Sequence, residues 1–160
     1  MSHSPETLAF WQHFLDSLPA SAPRPQTFQS WAFGHDADVA SRLAALVRQG
    51  VKTATSGLLW SYEAEKEDTP EVGGYSVITD WEGRPLCIIQ TLEVIVRPFN
   101  EVGADIAWEE GEGDRSLEYW REVHWEFFAE ECAQLGRPPQ DDMPVVNERF
   151  RLVFDQSPDI

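Results

Sequence analysis

The sequence predicts an α+β domain in which a small curled sheet is flanked by helices. Three observations lead there. Apolar residues recur at helical spacing in the first fifty residues and again from Leu117 to Phe128, and most of the stretch between them reads as strands. The resulting order, two helices, three or more strands, a helix and a strand, suits neither a regular βαβ array nor a sandwich. With 160 residues, 42% apolar and 12% aromatic, the chain supports one substantial core rather than two.

Ser4 is placed to cap a first helix, Pro5 suits its first turn, and Leu8, Trp11, Phe14, Leu15 and Leu18 fall on one face. Pro19, Pro23 and Pro25 then forbid a helix and make a surface linker too short to separate domains. A short apolar piece, Phe28 to Phe33, leads to a second helix capped by Asp36, with Val39, Leu43, Leu46 and Val47 on its buried stripe and Gly50 as its stop. Thr53 to Tyr62 is expected to be a strand and Glu63 to Gly74 an exposed acidic loop. Tyr75 to Asp80 pairs, through the turn Trp81-Glu82-Gly83-Arg84, with a long apolar strand from Leu86 to Val96 that Pro98 ends. Ala104 to Glu110 suits a helical turn. Leu117, Trp120, His124, Phe127 and Phe128 mark a third main helix that Gly136 stops, and Phe150, Leu152 and Phe154 alternate with Arg149, Arg151 and Val153 in a closing strand.

Charge narrows the function. Residues 1–50 carry three Lys/Arg against four Asp/Glu, residues 51–100 four against eight, and residues 101–160 five against sixteen, so the net −16 divides as −1, −4 and −11. Nucleic-acid binders draw most of their affinity from neutralising phosphates, so this balance disfavours RNA as a partner. A neutral or cationic small molecule fits better. Cys87 and Cys132 lie in apolar runs without metal-ligand or redox-motif spacing and read as reduced core thiols. With no signal pattern and no apolar stretch of membrane-spanning length, the expectation is a cytoplasmic protein without a membrane partner.

Against this background Lys52 stands out, because only two lysines occur in the chain and this one sits three residues before Thr55, just past a helix stop. A threonine hydroxyl becomes a nucleophile when a neighbouring base takes its proton, and a sheltered amine with a lowered pKa can do so. The pair then forms an acyl-transfer centre, provided a bent turn brings the two side chains together. The plainer alternative is that Lys52 balances the helix dipole while Thr53 and Thr55 fill strand positions.

Two further groups carry charge. The four carboxylates of Glu109-Glu110-Gly111-Glu112-Gly113-Asp114, ahead of the third main helix, suit a hard cation, a helix cap or a carboxylate set beside a distant lysine, and Asp114 or Ser116 is placed to cap the helix. The spacing matches no calcium loop, so neither a metal site nor a cofactor is expected. His124, on the apolar stripe of its helix, reads as a satisfied core histidine. Arg84, Arg97, Arg149 and Arg151, with Trp60, Tyr62, Trp81 and Trp108 as stacking partners, form either a grip for a single strand or a solvated face paired with surplus acid.

Taken together, Gly50-Val51-Lys52-Thr53-Ala54-Thr55, Trp60-Ser61-Tyr62-Glu63, the segment from Glu110 to Trp120, and Glu148-Arg149-Phe150 resemble the bacterial ASCH (activating signal cointegrator homology) family. The resemblance runs from about residue 30 to the closing strand, giving an N-terminal helix and linker over residues 1–26 and an ASCH domain over residues 27–156. It implies a small mixed β-barrel like that of the PUA RNA-binding domains, with helices outside it and an N-terminal helical extension. It also implies two functional histories: RNA binding or cleavage, and amide hydrolysis of N4-acylated cytidines by a Lys, a Thr and a Glu. By position these are Lys52, Thr55 and Glu110, with Glu109 the near alternative to Glu110. Trp60, Tyr62, Glu109 and Arg149 are the candidate substrate-binding residues, and the partner expected is a nucleoside or nucleobase amide. The small hydrolases place an arginine two residues after the threonine, where this chain has Gly57, so contacts to substrate need not carry over.

In the implied reaction Thr55 attacks the acyl carbon, Lys52 activates its hydroxyl and Glu110 positions the lysine or shuttles the proton. A carboxylate beside Lys52 favours ammonium, however, whereas a base must be the free amine. Burial has to outweigh the pairing for Lys52 to be the base; otherwise Lys52 stabilises the oxyanion and Glu110 is the base.

Overall fold

The computed structural model describes residues 3–155; Gln156, the expected end of the domain, lies outside them. The helices are α1 (Pro5–Ser17), α2 (Ala37–Arg48), α3 (Leu59–Ala64), α4 (Ala104–Glu110) and α5 (Leu117–Leu135). The strands are β1 (Gln29–Trp31), β2 (Ala54–Leu58), β3 (Tyr75–Thr79), β4 (Pro85–Pro98) and β5 (Pro144–Asp155). They form one curled sheet in the order β1-β3-β4-β5-β2, in which β1 and β3 are parallel while β3–β4 and β2–β5 are antiparallel, so the α+β class holds. Among the described residues no helix is long and apolar enough to cross a membrane.

The described residues group into two compact units. The first comprises residues 3–50, 73–90 and 151–155. Its core is aromatic: Phe10, Trp11 and Phe14 of α1 pack with Val77 and Ile88, and Phe28, Tyr75, Val153 and Phe154 close around them. Trp11 stacks on Phe28 at 4.4 Å between ring centroids, and Phe10 meets Phe154 edge-on at 5.2 Å. Ser4 caps α1 by accepting from the Thr7 amide, as expected, but the buried face is turned from the one expected. Thr7, Phe10, Trp11 and Phe14 face inward while Leu8 is 49% exposed, because three large rings bury more apolar surface than one leucine. Asp36 caps α2 through the Val39 amide, and Gly50 takes the left-handed conformation that ends it. Leu43 and Val47 are buried with Ala40 and Ala44, leaving Val39 and Leu46 half-buried at the margins of the stripe.

The second unit comprises residues 51–72 and 91–150. Its apolar core joins Leu58, Phe99, Val102, Ile106, Trp120, Phe128, Cys132, Met143 and Val145. The expected strand over Thr53 to Tyr62 ends early: β2 stops at Leu58 and α3 follows at once. Six residues rich in helix formers have too little periodicity to distinguish the two states, and the helical turn lets Trp60 pack on the core and Ser61 donate to Glu131 at 2.9 Å. Ser116 caps α5 through the Tyr119 amide, and Asp114 in turn accepts from the Ser116 amide. The alternation expected in β5 stops at Phe150. Leu152 is 36% exposed while Val153 and Phe154 both pack on the first core, since from Arg151 onward the strand belongs to the first unit.

Candidate active site

The second unit holds the candidate site, and local backbone geometry turns Lys52 inward. After Gly50 the Thr53 amide donates to the Glu109 carbonyl at 2.7 Å, while the Thr53 carbonyl accepts from the Phe150 amide at 3.0 Å. The chain is thereby pinned between the end of α4 and β5. Lys52 is 1% exposed. Its Nζ donates to the Ala54 carbonyl and to Glu112 Oε2, both at 2.9 Å, and lies 3.4 Å from Glu110 Oε1. The Ala54 carbonyl belongs to the peptide bond that leads into Thr55, so the ammonium rests against the backbone of the candidate nucleophile.

Glu110, the last residue of α4, is also 1% exposed. Its Oε2 accepts from Ser56 Oγ at 2.5 Å and from Trp120 Nε1 at 2.7 Å. Its Oε1 faces both Lys52 and His124 Nε2, each at 3.4 Å. Gly111 makes this placement possible. It ends α4 at φ +73°, and a Cβ there would meet the Val51 side chain and carbonyl at 2.9 Å. Asn147 Nδ2 donates to Ser56 Oγ at 2.8 Å, extending the network, while its buried Oδ1 has no hydrogen-bond partner among the described residues.

The electrostatics follow from this geometry. Burial pulls the Lys52 ammonium down, but the charges of Glu110 and then Glu112 more than offset it and hold the group above the ordinary lysine value. Burial likewise pushes Glu110 up, but His124 and Lys52 win and keep its carboxyl well below the usual range. His124 Nδ1 contacts the Trp120 carbonyl at 2.9 Å, which can only accept, and Nε2 faces a carboxylate, so both nitrogens favour carrying a proton. Its pKa is accordingly raised, the Glu110 charge outweighing burial. Lys52 and His124 thus both face Glu110, with Glu112 as the second carboxylate on Lys52.

Not every expected residue joins this group. Strand alternation points Ala54 and Ser56 to one face of β2 and Thr55 and Gly57 to the other, so it is Ser56, not Thr55, that bonds Glu110. Thr55 pairs across the ladder with Glu148. Glu109, one residue and about 100° around the helix from Glu110, accepts instead from Arg149, which also pairs with Glu93 and Asp105. These hydrogen bonds, Glu109 foremost, hold the guanidinium above its ordinary value. Trp60 packs on the core with the Arg137 guanidinium 3.4 Å over its ring. Burial and then the Glu148 charge push the Tyr62 hydroxyl up to about 12. Among the described residues, no group of three or more His, Cys, Asp and Glu side chains is arranged to hold a metal ion.

Sequence reasoning had not placed Glu112, Ser56, Trp120, His124 or Asn147 beside Lys52. Two signals pointed this way: Glu112 lies in the acidic segment suited to set a carboxylate beside a distant lysine, and Trp120 and His124, four apart, share a helix face, where their rings stack at 4.2 Å.

A curled mixed sheet of this kind with flanking helices is a PUA-like fold. The model of the ASCH domain matches residues 29–154, and the chain belongs to that family. Its structure is similar to that of an ASCH domain from Lactobacillus crispatus JV V101, with 35% identity, 96% of this chain and 98% of that chain covered, and a TM-score of 0.89. It is also similar to protein EF3133 from Enterococcus faecalis V583, with 36% identity, 94% and 89% coverage and a TM-score of 0.82. No curated protein matches the chain.

Proposed function

We propose that this protein is a small-molecule amidohydrolase acting on N4-acylated cytidine-type nucleosides. The observation that carries this reading is the burial of Lys52, 1% exposed and balanced by two carboxylates, against the peptide bond entering Thr55. The net charge of −16 opposes an RNA backbone, a polyanion, as the partner. Thr55 attacks the acyl carbon of the exocyclic amide. Lys52, kept as ammonium, stabilises the oxyanion that forms, rather than acting as the base. Glu110 positions Lys52. Tyr62, Trp60, Glu109 and Arg149 remain the candidates for contacts to the nucleoside, and the two free buried cysteines support a reducing, cytoplasmic setting.

Incubation with N4-acetylcytidine is expected to release cytidine, with turnover lost in Thr55→Ala. Wild-type turnover no greater than that of Thr55→Ala would sink the reading. RNA affinity that falls steeply with salt would favour a phosphate-binding role instead.

A further inference from the structure

A threonine nucleophile has to lose its proton, and neither neighbour already described is suited to take it. Lys52 is held as ammonium, and Glu110 is a carboxylate made weakly basic by its cationic partners. The opposite face of β2 offers another group. Thr55 and Glu148 are directly paired in the β2–β5 ladder. Residues so paired project to the same face with Cβ atoms about 4.5–5.5 Å apart, within reach of a glutamate side chain. Glu148 is 3% exposed, and its Oε2 accepts from Thr91 Oγ1 at 2.6 Å. Among the described residues Thr91 is the one hydrogen-bond partner of that side chain, and no cation forms an ion pair with it. Tyr62 covers the same face, since a Cβ on Gly57 would meet its ring at 3.0 Å. A buried carboxylate without a paired cation, anchored through one oxygen and aligned with a threonine, is costly to keep in a fold unless it has work to do.

We propose that Glu148 is the general base for Thr55, with Thr91 orienting its carboxylate. This deepens the amidohydrolase reading and takes its nucleophile as given. The Thr55 hydroxyl proton passes to Glu148 as Oγ1 bonds to the acyl carbon, and the carbonyl electron pair moves onto oxygen beside the Lys52 ammonium. The pair returns, the carbon–nitrogen bond breaks, and the amine leaves with the proton from Glu148, giving an ester on Thr55. Water then gives a proton to Glu148 and attacks the ester; the carbon–oxygen bond breaks, Thr55 recovers its proton and the acid is released. Burial, which outweighs the Thr91 hydrogen bond and the Lys52 charge, raises the Glu148 carboxyl above its ordinary value and so makes it a better base than Glu110.

The test uses p-nitrophenyl acetate, an acyl donor that needs no cytidine recognition, with nitrophenolate release and mass spectrometry of Thr55 as readouts. Wild type is expected to acetylate Thr55 at a rate that falls as pH drops through the Glu148 titration. Glu148→Gln is expected to slow acetylation by about 10²–10⁴-fold and to abolish that acidic limb, and Glu148→Asp to restore part of the rate. Should Glu148→Gln not fold, Thr91→Val decides: loss of a hydrogen bond that lowers the carboxyl's pKa is expected to move the acidic limb to higher pH. Acetylation at the wild-type rate by Glu148→Gln, an unmoved limb in Thr91→Val, or no acetylation of wild-type Thr55 overturns the proposal. Glu148-dependent acetylation without N4-acetylcytidine turnover supports it and removes only the substrate class.

Discussion

The interiors of the two units are built on opposite principles. In the first, aromatic rings fill the space and the buried polar residues are Thr7, Ser76 and Thr79, whose small hydroxyls are cheaply satisfied. In the second, Lys52, Glu110 and Glu148 are buried along with Asn147 and Thr91. Taking a charge out of water costs several kcal/mol before pairing repays it, and an apolar replacement of similar volume is often as stable. Stability alone therefore explains the first interior but not the second. The lesson is where chemistry has to be sought: in the unit that bears the electrostatic cost.

The sharpest way to break this contrast is one deletion in each interior. Glu110→Ala is expected to cost about 3–5 kcal/mol in urea unfolding, because Lys52 and His124 lose their shared counter-charge, and to abolish cytidine release. Phe14→Ala is expected to cost a similar amount, about 3–5 kcal/mol, through the cavity it leaves, yet to keep kcat unchanged at temperatures well below unfolding. Ser56→Ala removes one hydrogen bond to the buried Glu110 carboxylate, and about 1.5–3 kcal/mol should be lost in the same assay.

Titration sharpens the comparison further. Glu110 is depressed in the folded state, so its contribution is present above its unfolded value of 4.5 and is lost as pH falls through the folded value. His124 is raised, so its contribution is present below 6.5 and is lost as pH rises through its folded value. Unfolding free energy measured against pH should fall on the alkaline side of 6.5 in the wild type, and this decline should flatten in His124→Gln. The smallest effect is expected at the surface. Arg149→Ala should cost no more than about 1 kcal/mol despite its three acidic partners, because two of them, Glu93 and Asp105, are open to solvent.

Much of the scaffold was legible because its signals are local. Ser4, Asp36 and Ser116 carry short oxygen side chains just ahead of apolar periodicity, and each caps the helix it precedes. Gly50 and Gly136 end helices with positive φ, as their positions implied. The two misplaced leucines share one cause, which is that burial depends on what lies opposite. Leu8 and Leu152 look like core residues, but larger rings or a change of neighbours leave them exposed.

The amino-acid sequence by itself determined the order of helices and strands, the family, the isolation of Lys52 and the acidic segment from which its partner comes. Spacing along a chain encodes those properties that depend on a residue and its near neighbours. Tertiary structure alone decided that Glu110 rather than Glu109 meets Lys52, that Glu112 and His124 complete the charge balance, and that Thr55 lies opposite Glu148. Lys52 meets Glu110 and Glu112 across 58 and 60 positions, and a single residue of register or a single step around a helix exchanges one carboxylate for another.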